Sequence, residues 1–156
     1  LSLCLSIQGH DALLSPNPDI DILETTMVDS GQFAVISNSV VGTWNHRLPF
    51  GEFFQYEGEA IESIPIENAM ISLQFQQNGI LIRRLTCPEA GLQLEEYGSW
   101  RLSPNGKNLI LEDMNGVETV ATIKFLEMDE LVLDWNITFE LARLEASRNT
   151  YYFNKQ

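Results

Sequence analysis

The chain has 156 residues, enough for one domain with its own core and too few for two ordinary ones. Its 22 acidic against 9 basic residues give a net charge of -13, which repels nucleic acid and anionic membrane surfaces and favours solubility or a cationic partner. A hydrophobic share of 44% with mean hydropathy -0.07 is that of a soluble globular domain, and no apolar run approaches the ~18 residues of a spanning helix.

The chain opens on Leu1-Ser2-Leu3-Cys4-Leu5-Ser6-Ile7, which reads either as the tail of a secretory signal region, with a lipid anchor upstream, or as a short strand. Leu3 stands where a lipoprotein cleavage box wants a small residue. Cys4 and Cys87, the only two cysteines, are a disulfide in an oxidising compartment or two buried thiols. Residues 1–39 are taken as an N-terminal arm, rich in Asp, Ser, Asn and Pro beyond residue 8 and broken at Pro16-Asn17-Pro18. Ile20, Ile22, Leu23 and Met27 permit a short helix across a barrel end, capped by Asp19 or Asp21. Asn17 to Asp21 mimics the start of a calcium loop, but Ile22 and Val28 occupy the positions that need glycine and glutamate.

From residue 40 to 156 the pattern is that of β-strands. The first is expected over 40–46, and a second over 69–76 alternates Ile71, Leu73 and Phe75 against Ser72, Gln74 and Gln76. Asn78-Gly79 turns it into a strand over 80–86, and others follow over 95–102, 108–112, 118–126, 131–138 and 150–154. Eight short strands joined mostly by tight turns describe an antiparallel up-and-down meander that closes into a barrel to remove its edges. Past residue 40, only 140–147 leaves room for a helix.

The stretch between the first two strands breaks this rhythm. Phe50-Gly51-Glu52-Phe53-Phe54-Gln55-Tyr56 is either an amphipathic flap, with Phe53, Phe54 and Tyr56 lining a ligand mouth, or a further strand.

Gly42-Thr43-Trp44 and Gly98-Ser99-Trp100 share a pattern in which the glycine and the tryptophan lie on one face of a strand. They place Trp44 and Trp100 together at a closed barrel end. Of the adjacent Arg83 and Arg84, one must point into the barrel. An inward Arg83 either holds the carboxylate of a fatty-acid-like ligand or, as favoured here, pairs with Glu95 or Glu112.

Catalytic and metal patterns are missing from the sequence. No phosphate loop, nucleophile elbow or HExxH is present, and His10 and His46 are the only histidines. A Cys87–His46 dyad requires the fold to bring the two together. No enzyme, cofactor or metal site is expected.

Gly42-Thr43-Trp44, Phe75 to Gly79, Tyr97 to Leu102, Leu109-Ile110-Leu111, 123–133 and Tyr151-Tyr152-Phe153 follow one another in an order that resembles the bacterial lipocalin-like domains. The resemblance covers roughly residues 40–156. It implies a calycin-type barrel, secreted, periplasmic or anchored to the outer membrane, that holds a small apolar ligand without chemistry. It also implies a basic side chain over Trp44, supplied by Arg148 in preference to Arg143. The alternative is an interaction module whose barrel is filled by its own side chains and whose outer face binds a protein or glycan.

Overall fold

A computed structural model describes residues 27–57, 60–139, 144–146 and 150–156, with side chains placed except at 48–57, 60–67 and 144–146. The fold is a closed eight-stranded antiparallel barrel preceded by one short helix, α1 (Ser30–Val40). Asp29 caps α1, its carboxylate accepting from the Gln32 amide at 2.9 Å. The helix expected over Ile20 to Met27 lies, except for Met27, outside the described residues. Phe33 and Ile36 turn from α1 onto the barrel core, so a short helix precedes the strands.

The wall consists of β1 (Gly42–Glu57), β2 (Ala60–Phe75), β3 (Ile80–Cys87), β4 (Leu92–Leu102), β5 (Asn108–Glu112), β6 (Glu118–Leu126), β7 (Glu130–Asp134) and β10 (Thr150–Lys155). Each pairs with the next, and β10 returns to β1 with Trp44 opposite Lys155 and Asn45 opposite Asn154. Two short strands, β8 (Thr138–Phe139) and β9 (Leu144–Ala146), pair with each other, and β9 lies against residues 53–55 of β1. Residues 144–146 are thus extended where the sequence left room for a helix.

The tight turns fall where their chemistry requires. At Asn78-Gly79 the Asn78 side chain accepts from the Ile80 amide at 3.1 Å, locking the β2–β3 register that sets Leu73 opposite Arg83. Of the two readings of the first connection, flap or further strand, the structure shows the strand. The twenty-odd residues belong to two long strands, paired from Gly42–Phe75 out to Glu57–Ala60. Prolines at 49 and 65 disguised this ribbon, because a residue without an N–H is a poor sign of a central strand. Only positions 70–75 of β2 pair with β3, so the remainder escapes the central ladder, where proline is excluded.

Alternation decides what fills the barrel. Ile71, Leu73 and Phe75 are buried, as are Leu81 and Leu85, Leu109 and Leu111, Leu131 and Leu133, and Tyr151 and Phe153. Burying each of these side chains is worth about 1.5–3 kcal/mol. Beyond Asp134, which faces Thr150 at the end remote from α1, the chain turns inward and buries Trp135, Ile137 and Phe139.

Candidate functional site

The α1 end of the barrel is organised around the two tryptophans. Trp44 is fully buried and donates its indole N–H to the Val40 carbonyl at 2.7 Å, tying β1 to the last residue of α1. Trp100 donates to Gln76 O at 2.8 Å and meets Phe75 edge-on at 5.4 Å between centroids. Both are buried on the α1 side of the barrel.

The two glycines have different reasons. Gly42 has φ +139°, and a Cβ there would lie 2.6 Å from Lys155 Cε. Gly98 lets β5 approach, since a Cβ there would strike the Glu112 carbonyl oxygen.

The cation over Trp44 is Lys155, its Nζ 4.9 Å from the ring centroid, and the same group donates to Ser39 O at 3.2 Å. Arg143 and Arg148, the residues expected there, lie outside the described residues. A lysine at the end of the closing strand was missed because it stands directly across the barrel seam from Trp44, a register that sequence alone does not reveal.

Arg83 points into the barrel and Arg84 outward. The partner of Arg83 is Glu96 and not Glu95 or Glu112, with Nη2 2.8 Å from the carboxylate and the two side chains only 6% and 1% exposed. The correction follows from register: on β3 and β4, Arg83 faces Glu96 and Arg84 faces Glu95, so each pair shares a face. The second Arg83 nitrogen, Nη1, donates to Thr138 O at 3.2 Å, anchoring the inward-turned segment. His46, also buried, donates from Nδ1 to Tyr152 O at 2.6 Å and packs edge-on against Tyr151. Cys87 is buried at the end of β3; Cys4 and His10 lie outside the described residues.

Outside the wall, Glu95 accepts from Arg84 Nε at 2.6 Å and from the Tyr97 hydroxyl. The Tyr97 hydrogen bond and then Arg84 hold the Glu95 carboxyl below its usual range, and the same bond to Glu95 pushes the Tyr97 phenol up. Asp134 is lowered mainly by the Thr150 hydroxyl, which donates to it at 2.6 Å, with Lys124 adding to the effect.

The expected mouth residues Phe53, Phe54 and Tyr56 are in β1, opposite Ile64, Ser63 and Ile61, and Phe53 and Phe54 also face Ala146 and Glu145 of β9. Their side chains, and so their relation to Arg83, lie outside the described part.

Two open grooves flank the last residues of β10. One, of about 420 Å³, is lined by Phe125, Val132 and Tyr152 with Glu130 and Asn154. The other, of about 370 Å³, is lined by Val35, Asn38 and Ser39 of α1 with Met128 and Lys155. Among the described residues, no His, Cys, Asp and Glu cluster fits a metal ion, and no helix is long and apolar enough to cross a membrane.

Set beside known proteins, the chain matches no family model, no curated protein and no solved structure. The closed antiparallel barrel is nevertheless compatible with a lipocalin-like fold.

Proposed function

We propose that this chain is a non-catalytic binding module of the lipocalin-like kind that meets its partner on the outside of the barrel wall and not in a central cup. The observation that carries this reading is the pairing of Arg83 with Glu96 inside the barrel. The inward charge best suited to hold a ligand carboxylate is already neutralised by the protein and tied to Thr138 O. Large side chains occupy the neighbouring inward positions, among them Trp44, Phe75, Phe139, Tyr151 and Phe153. Small barrels of eight strands are commonly filled in this way.

The rival is a carrier that takes a small apolar ligand at Phe53, Phe54 and Tyr56. Titration with palmitate while following tryptophan emission distinguishes the two. The exterior reading expects no saturable change in emission and no rise in melting temperature. Saturable one-to-one binding that Phe54→Ala weakens without unfolding the chain would establish the carrier instead.

A further inference from the structure

Phe125 of β6, Val132 of β7 and Tyr152 of β10 are cross-strand neighbours, Val132 facing both of the others in register. They form an apolar stripe on the outer wall, with Tyr152 63% exposed. The stripe lines the larger groove. Immediately beyond Asn154 the second groove continues it with Met128, 88% exposed, and Val35 of α1. Large apolar side chains held in water side by side on a folded wall are the mark of an interaction surface.

Charge defines what fits there. The β6–β7 turn, Glu127-Met128-Asp129, and Glu130 at the start of β7 border the grooves, and no ion pair among the described residues engages these three carboxylates. Among the described residues, two nearby cations are already committed. Lys155 lies over Trp44 and donates to Ser39 O, and Lys124 pairs with Asp134 at 3.4 Å. The surface is therefore apolar, with three carboxylates along its middle that no described cation pairs with, on a chain of net charge -13. A second copy would bring the same three carboxylates against these, which argues against self-association.

We infer that the outer face of β6, β7 and β10, together with α1, docks a basic peptide segment of a partner protein, one that interleaves Lys or Arg with apolar side chains. Its apolar residues seat against Phe125, Val132 and Tyr152, and its cations meet Glu127, Asp129 and Glu130. The inference rests on the exterior-binding reading above and supplies its surface and its partner class.

Fluorescence anisotropy with a short acetylated peptide alternating leucine and lysine tests it, with the leucine–glutamate peptide as counterpart. The leucine–lysine peptide is expected to bind and to weaken with added salt, and its counterpart to stay free. Phe125→Ser with Tyr152→Ser should lower affinity at least about tenfold. Glu127→Gln, Asp129→Asn and Glu130→Gln together should lower it severalfold and flatten the salt dependence. Glu89→Gln with Glu112→Gln, on other parts of the surface, should leave it nearly unchanged. Far-ultraviolet circular dichroism confirms that each variant is folded.

Equal binding by wild type and both groove variants would overturn this surface while leaving exterior binding intact. Failure of the peptide to bind wild type would overturn the partner class. Saturable palmitate uptake into the barrel would instead overturn the exterior reading itself.

Discussion

Lys155 lies over the buried indole of Trp44 and directly opposite it in the β1–β10 pairing, so one side chain covers the tryptophan and marks the seam of the barrel. Its stem passes close to Gly42, where a φ of +139° disfavours any side chain. Lys155→Ala should destabilise the fold by about 1–2 kcal/mol through lost covering of the indole and a lost contact to Ser39 O. Gly42→Ala should cost about 1–3 kcal/mol, from a strained positive φ and from collision with the lysine stem. Because the collision disappears when Lys155 is truncated, the double variant should cost less than the sum of the singles. Urea unfolding followed by tryptophan emission measures all three.

Glu96→Gln leaves Arg83 charged in the interior without its counter-ion and should cost about 3–5 kcal/mol. Replacing the pair together, as Arg83→Met with Glu96→Leu, should recover most of that loss, since two apolar side chains carry no desolvation penalty. Denaturant midpoints of the single and double variants provide the comparison. A double variant as unstable as Glu96→Gln alone would show that the tie from Arg83 to Thr138 O, and not the charge pair, is what the interior depends on.

Gly98→Ala should be more damaging than Gly42→Ala. At Gly42 the obstacle is a flexible lysine stem, whereas at Gly98 it is the backbone oxygen of Glu112, which cannot step aside without moving β5. We expect a loss of about 2–4 kcal/mol in thermal or chemical unfolding.

The Tyr97–Glu95 bond has a defined pH window. Tyr97 is raised in the folded state, so its contribution is whole below about pH 10 and is lost as pH climbs through the folded value. Glu95 is lowered, so its contribution is present above about pH 4.3 and is lost as pH falls through the folded value. The stability difference between wild type and Tyr97→Phe should therefore be flat between about pH 5 and pH 9 and shrink toward both extremes. Unfolding midpoints of both proteins across that range check it.

Much of the wall was legible in the sequence because the strand over 69–76 alternates cleanly and turns of known chemistry, as at Asn78-Gly79, mark hairpins along it. The extended 48–67 ribbon was not, since its prolines and clustered aromatics fit a loop as well as a strand. The inward turn of Arg83 could be read from strand periodicity, but its partner could not be chosen without register. A signal was present: Arg83-Arg84 and Glu95-Glu96 flank the Cys87 to Gly91 connection symmetrically, and an antiparallel hairpin pairs the inner members with each other and the outer members with each other. Lys155 left no comparable trace, because it meets Trp44 only when the ends of the wall come together. The outer stripe was equally hidden, as Phe125, Val132 and Tyr152 belong to three strands, and β6 shifts register between Ile123 and Phe125.

The seam has a consequence for how the chain reaches this shape. Every other junction of the wall joins strands that follow closely in sequence, with β7 and β10 separated only by the short excursion through β8 and β9. At the seam, His46 bonds to Tyr152 across a separation of 106 residues. Hairpins can therefore form early and one after another, while ring closure waits for the slowest search. Until then β1 and β10 are open edges able to recruit a strand from a neighbouring molecule, so aggregation during refolding should be governed by the lifetime of that unzipped meander and not by the final stability of the barrel.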